Sequence, residues 1–132
     1  FKSDADIVMF GLDVTEKAMI YPEEFEKIGA MESEPAKICY KLLKGTSDFY
    51  LKNGYKGNCL HDVCTVVYLA NPELFTGKKA GVRVETKGKI TRGKTVCDMY
   101  VDVKFGFENA YVMTDVNREK FVEKIIETIG KY

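Results

Sequence analysis

The chain has 132 residues, of which 45 % are hydrophobic and 30 % charged, and this composition excludes a disordered chain and suits one globular domain. Basic and acidic residues number 20 each, so the net charge gives no reason to expect nucleic acid or an anionic membrane as a partner. No apolar run approaches the ~20 residues that cross a bilayer. The four cysteines are irregularly spaced, which favours reduced thiols and a cytoplasmic location.

The first half of the chain predicts one strand followed by helices. Residues 6–12 form an apolar run without alternation, which is typical of a strand buried on both faces in a parallel sheet. Pro22 and the acidic residues after it indicate the start of a helix that ends near Gly29. A second helix is predicted over residues 35–43, with a continuation over residues 47–52.

A third helix is predicted from Leu60 to Ala70. Its sequence is apolar nearly all round, so we expect it to be buried. The Asn71-Pro72 pair ends it.

The second half changes to alternating strands and closes with a helix. Residues 82–86, 95–100 and 101–105 alternate, which predicts antiparallel strands, and residues 110–113 form a further strand candidate. Asn117 is predicted to cap an amphipathic final helix.

These elements predict an α/β fold with mixed strands and flanking helices over residues 1–132, as a single domain or a fragment. A parallel strand that is buried on both faces needs neighbours on both sides, and only one strand of this kind is predicted. We therefore expect the chain to be cut from a larger open sheet. Its opening strand should then pair with another copy of the chain or with an absent N-terminal half.

The single histidine, His61, is followed directly by Asp62 at the start of the third helix. The structural interpretation is that Asp62 caps this helix while His61 is a hydrogen-bonded core residue. The functional interpretation starts from the cost of placing a carboxylate beside an apolar helix without a partner. Asp62 would then be an oxygen ligand for a hard metal ion, and His61 a general acid, since imidazole titrates near neutral pH.

Two further sites have competing interpretations. Cys59, His61 and Cys64 form a possible zinc cluster, but their spacing matches no common zinc pattern, and buried cysteines are the favoured alternative. Tyr50 and Tyr55 are candidates for a base-binding pocket, although aromatic residues at helical spacing more often belong to the core.

Four stretches of the chain carry a family resemblance. They are residues 10–15 (FGLDVT), residues 60–62 (LHD) with residues 72–75 (PELF) following, residues 84–88 (VETKG) and residues 91–98 (TRGKTVCD). In this order and spacing they resemble the inosine-uridine-preferring nucleoside hydrolase family over nearly the whole chain. Val63-Cys64 stands where many members have Pro-Leu, and this departure hints at the pyrimidine-preferring branch.

The resemblance implies a calcium-dependent enzyme that cleaves the N-glycosidic bond of ribonucleosides to ribose and free base. It implies that this chain is the C-terminal part of the family's open α/β sheet. Asp62 matches the family's C-terminal calcium ligand, and His61 matches the residue assigned to the leaving base. The family commonly forms dimers or tetramers, so the resemblance also implies a homo-oligomer.

The family's acidic DxDxGxDD motif is absent from these residues, and the water-activating aspartate is absent with it. We therefore expect the chain alone to be inactive, while the protein to which it belongs is a hydrolase. The alternatives are a truncated homologue that serves as a non-catalytic binding or assembly module, and a product of expression or proteolysis without a function of its own.

Overall fold

The computed structural model describes residues 1–100 and 105–132, and in this part of the chain it shows a mixed open sheet with flanking helices. The elements, in chain order, are β1 (Val8–Met9), α1 (Leu12–Thr15), β2 (Met19–Ile20), α2 (Pro22–Gly29), α3 (Glu34–Lys52), β3 (Asn58–Cys59), α4 (Val63–Ala70), a 3-10 turn (Pro72–Leu74), β4 (Phe75–Val84), β5 (Thr95–Asp98), β6 (Ala110–Val116) and α5 (Arg118–Ile129). None of the helices in the described residues is long and apolar enough to span a bilayer.

The main sheet has the strand order β1-β6-β4-β5 within the described ranges. β1 runs parallel to β6, whereas β4 is antiparallel to both β6 and β5, so the predicted parallel first strand and antiparallel later strands are confirmed. β4 begins at Phe75, earlier than the alternation predicted, and has an irregularity at Thr76/Gly77. The strand predicted over residues 101–105 falls on residues 101–104, which lie outside the described residues.

The first strand is shorter and more exposed than predicted. It spans Val8–Met9 only, and Val8 is 41 % exposed, so the prediction of burial on both faces is wrong. The Gly11 carbonyl accepts the backbone N–H groups of Val14 and Thr15, and this turns the chain into α1 before the apolar run ends. Within residues 1–100 and 105–132, β1 has a neighbour on one side, β6, which explains the exposure of Val8.

Three helices follow the sequence pattern closely. α2 spans Pro22–Gly29 as predicted, and α3 joins the two predicted segments into one helix with Ser33 as its cap. The Asn117 side chain accepts a hydrogen bond from Lys120 N at 3.2 Å and caps α5 as predicted. Side chains of these helices share one core cluster with the sheet, which includes Phe25, Phe75, Met113 and Phe121.

α4 departs from the prediction in its burial. Cys64 and Val67 are buried, but Val66 is 66 % and Leu69 83 % exposed, so the expectation of a helix buried all round is wrong. Only one face of the helix meets the core of the described residues, and the opposite face stays apolar without a cover. Uniform apolarity therefore did not indicate how many sides are packed.

Candidate functional site

A two-stranded ribbon brings the His61 segment against the end of α1. β2 pairs antiparallel with β3, with Met19 opposite Cys59 and Ile20 opposite Asn58. The ribbon continues through Leu60, whose N–H donates to the Ala18 carbonyl at 3.0 Å. Since α1 lies just before β2 and His61 just after β3, this register places the two segments side by side.

His61 is half-buried and its ring is held by one contact. Nδ1 lies 2.8 Å from Thr15 Oγ1, and Thr15 is only 4 % exposed. Within the described ranges this is the one hydrogen bond of the ring, so Nε2 is the nitrogen left for a ligand. The interpretation of His61 as a hydrogen-bonded core residue is therefore correct for the hydrogen bond but not for the core, and among the described residues the other ring nitrogen has no partner.

Asp62 occupies the N-cap position of α4 but does not cap it. Its backbone is helical, and its side chain makes no capping hydrogen bond, so the hypothesis that Asp62 caps the helix is wrong. Thr65 instead donates its hydroxyl to the Asp62 carbonyl at 2.8 Å. Among residues 1–100 and 105–132, the exposed Asp62 carboxylate has no hydrogen bond or ion pair, which leaves its oxygens available to an ion or ligand.

The described residues do not assemble a metal centre by themselves. They contain no group of three or more His, Cys, Asp or Glu side chains placed to hold an ion, so Cys59, His61 and Cys64 do not form a zinc cluster there. Calcium takes about 6–8 oxygen ligands. Asp62 has the right chemistry for one of them, but it belongs to no group of three or more such side chains in the described residues.

Both cysteines near the site are buried thiols. Burial raises the pKa of Cys59, and it raises the pKa of Cys64 to about 11. The Cys64 thiol donates to the Leu60 carbonyl at 3.3 Å. A thiol whose pKa is raised stays protonated at neutral pH and is a poor nucleophile or metal ligand, so these residues serve packing.

The two candidate tyrosines lie together, beside β3 and the end of α1. The Tyr50 and Tyr55 rings meet edge to face with centroids 5.5 Å apart. Tyr50 donates its hydroxyl to the Cys59 carbonyl at 3.3 Å, and Tyr55 donates to Glu16 Oε1 at 3.0 Å. Burial raises the pKa of Tyr50, and the hydrogen bond to Glu16 raises that of Tyr55, so both remain hydroxyl donors at neutral pH.

Thr15 and Glu16 were missed as site residues in the sequence. Thr15 belongs to the FGLDVT stretch, but its contact with His61 spans 46 positions and depends on the β2–β3 register. One segment thus holds both candidate groups, His61 through Thr15 and Tyr55 through Glu16. It follows β1 directly, so the site lies beyond the carboxyl end of that strand, where open α/β sheets bind ligands.

Comparison with known proteins gives consistent matches. Residues 1–123 match the model of the inosine-uridine preferring nucleoside hydrolase family. The chain is 41 % identical to the pyrimidine-specific ribonucleoside hydrolase RihA of Citrobacter koseri. This match covers 100 % of the chain and 43 % of the length of that relative. The match to RihA of Escherichia coli K12 has the same identity and coverage. Among solved structures, a purine-preferring ribonucleoside hydrolase from Gardnerella vaginalis shares the fold with a TM-score of 0.83 at 22 % identity, over 96 % of this chain and 40 % of that one. The chain therefore spans less than half the length of these relatives.

Proposed function

Because the chain belongs to the inosine-uridine preferring nucleoside hydrolase family, we propose that it contributes His61 and Asp62 to an active site that hydrolyses the N-glycosidic bond of ribonucleosides. The products are ribose and the free base. One observation carries the proposal. The His61 ring is held at Nδ1, and the next residue, Asp62, has a carboxylate without a protein partner among the described residues.

His61 acts on the leaving base. When the bond between C1′ and the base nitrogen breaks, its electron pair goes to the base, and a proton or hydrogen bond from an imidazole stabilises that charge. Water supplies the hydroxyl that forms the new bond to C1′, and its remaining proton passes to a general base, which we place in the rest of the family domain. Nε2 is suited to the base-facing role because Thr15 occupies Nδ1.

Asp62 is a ligand of a calcium ion in this proposal. Its exposed carboxylate has no hydrogen bond within the described residues, as expected of a group that binds a cation. A bound calcium ion would orient the sugar hydroxyls and the attacking water. Tyr50 and Tyr55, two aromatic rings with hydroxyl donors, would line the base side of the same site.

The chain by itself is not expected to turn over substrate. One carboxylate leaves the metal incompletely coordinated, and the chain covers 43 % of its curated relatives. The remaining ligands and the water-activating base belong to the rest of the family domain. We further propose a cytoplasmic, oligomeric enzyme that acts in nucleoside salvage, with pyrimidine ribonucleosides as the preferred substrates because RihA relatives carry that specificity in their name.

A non-catalytic binding or assembly module is the second candidate. It is favoured by the apolar surface of Val66 and Leu69 on α4 and by the one-sided pairing of β1 within the described residues, which suit a docking partner. In that case His61 and Asp62 would be dispensable for every activity of a protein that contains the chain.

A chimera separates the two candidates. This chain replaces the matching span of Escherichia coli RihA, and release of reducing sugar from uridine, cytidine and inosine is measured with and without calcium. We expect calcium-dependent hydrolysis that His61→Ala and Asp62→Asn each lower by at least about 100-fold. Asp115→Asn, which removes an exposed carboxylate paired with Lys17, is the matched control and should keep full activity. A folded, active chimera that is unaffected by His61→Ala and Asp62→Asn would refute the proposed roles.

A further inference from the structure

We propose that Thr15 is a positioning residue that holds the proton of the neutral His61 ring on Nε2, the nitrogen that faces the nucleoside base. The inference rests on the proposed role of His61 and adds a residue that acts through it. Its basis is the hydrogen bond between Thr15 Oγ1 and His61 Nδ1, at 2.8 Å.

The direction of this hydrogen bond follows from burial. Thr15 is 4 % exposed, so its hydroxyl proton has no ready access to solvent and needs an acceptor in the protein. Within the part of the chain that the structure describes, that acceptor is Nδ1. The hydroxyls of Thr46 and Thr128 differ, because each donates to a carbonyl of its own helix.

A hydroxyl that donates to Nδ1 requires a lone pair there. In a neutral imidazole the proton is then on Nε2, because one nitrogen carries the proton and the other accepts. The opposite tautomer would place two hydrogens between the ring and Oγ1, or rotate the Thr15 hydroxyl away from its acceptor. Losing one such hydrogen bond shifts an equilibrium by about fivefold.

Both partners are held by backbone contacts, which makes the bond a positioning device. The Thr15 N–H donates to the Gly11 carbonyl at 3.0 Å, and the chain before His61 is held by the Leu60 to Ala18 hydrogen bond. Neither residue depends on a long side chain for its placement. The ring therefore presents Nε2–H in one orientation before a substrate arrives, which is the condition for efficient donation to a leaving group.

The test uses the fact that His61 is the only histidine in the 132 residues. The chain is labelled with 15N in the imidazole, and the two nitrogen shifts are recorded at alkaline pH, where imidazole is a neutral group. We expect Nε2–H as the major tautomer. Thr15→Val, which replaces the hydroxyl with a methyl group, should lower the Nε2–H to Nδ1–H ratio by about fivefold. Thr15→Ser should keep most of the ratio, and Thr128→Val should leave it unchanged.

Two results would overturn the proposal. One is a wild-type ring with Nδ1–H as its major tautomer, which needs no variant and so does not depend on whether Thr15→Val folds. The other is an unchanged ratio in a Thr15→Val chain whose amide spectrum remains native. An inactive, folded chimera beside an Nε2–H ring would refute the proposed hydrolase function instead, so the two failures are distinguishable.

Discussion

Arg118 joins the start of α5 to the β2–β3 ribbon that positions the candidate site. We expect the removal of its side chain to lower the free energy of unfolding more than the removal of an exposed ion pair. Its guanidinium donates to both oxygens of Glu24 at 2.8 Å and to the Met19 carbonyl at 3.1 Å. It also lies over the Tyr21 ring, 4.2 Å from the centroid. Met19 is a β2 residue paired with Cys59, so this contact supports the register that places His61.

The expected cost follows from partial burial. The side chains of Arg118 and Glu24 are 21 % and 17 % exposed. Breaking a fully buried pair costs about 3–5 kcal/mol, and an exposed pair contributes about 1 kcal/mol or less. Between these limits, Arg118→Met, which keeps the aliphatic stem, should lower the free energy of unfolding by about 2–3 kcal/mol. For a domain of this size the Tm should fall by roughly 10 °C.

Thermal and urea unfolding followed by circular dichroism measure this effect. The matched control is Lys124→Met, which removes a pair with Glu127 whose side chains are 39 % and 47 % exposed. The control should cost less than about 1 kcal/mol. If the two variants are destabilised equally, the argument from burial and bidentate geometry is refuted.

Three further outcomes follow from the structure. Burial raises the pKa of Glu24, but hydrogen bonds from Arg118 and the Tyr21 N–H outweigh this effect and lower the pKa overall. The ionised Glu24 therefore stabilises the fold above the ordinary pKa range of a carboxyl group, and this stabilisation is lost as the pH falls through the lowered pKa. In a Glu24→Gln chain, the free energy of unfolding should depend less steeply on pH in the acid range. Gly57→Ala should destabilise the chain by about 2 kcal/mol or more, because a Cβ there would lie 2.3 Å from the Ile20 carbonyl oxygen. Gly45→Ala, whose Cβ would lie in open space within α3, should instead stabilise the chain by about 0.5–1 kcal/mol. Equal denaturation midpoints of the two variants would contradict this. The isolated chain should self-associate through β1, and Val8→Lys should reduce that association in light scattering; a wild-type monomer at high concentration would refute it.

Much of the fold could be predicted from local signals. Pro22 and Asn117 marked the starts of α2 and α5, because cap and first-turn residues satisfy helix-end groups within a few positions of the chain. Alternation of apolar and polar residues indicated the antiparallel strands. This signal is also local, because the face on which a side chain lies depends only on its position in the strand. His61 and Asp62 were chosen as candidate site residues by residue type, order and family resemblance, and their roles stay predictions.

Burial of the apolar segments depended on tertiary structure. Residues 6–12 and α4 are apolar, but apolarity records what a segment can bury and not how many neighbours cover it. Leu12 and Leu69 are therefore 64 % and 83 % exposed in segments that their sequence indicated to be buried.

The arrangement of the candidate site was decided in the same way. The contact between Thr15 and His61 needs the two-residue register of β2 and β3 to join segments 46 positions apart. The contact between Glu16 and Tyr55 likewise joins the segment before β2 to the segment before β3. Sequence determined which groups can do the chemistry, because chemistry is a property of each side chain. Only the tertiary structure decided which nitrogen of His61 is bonded to Thr15 and which carboxylate has no partner among the described residues, because such contacts depend on residues that lie far apart in the sequence.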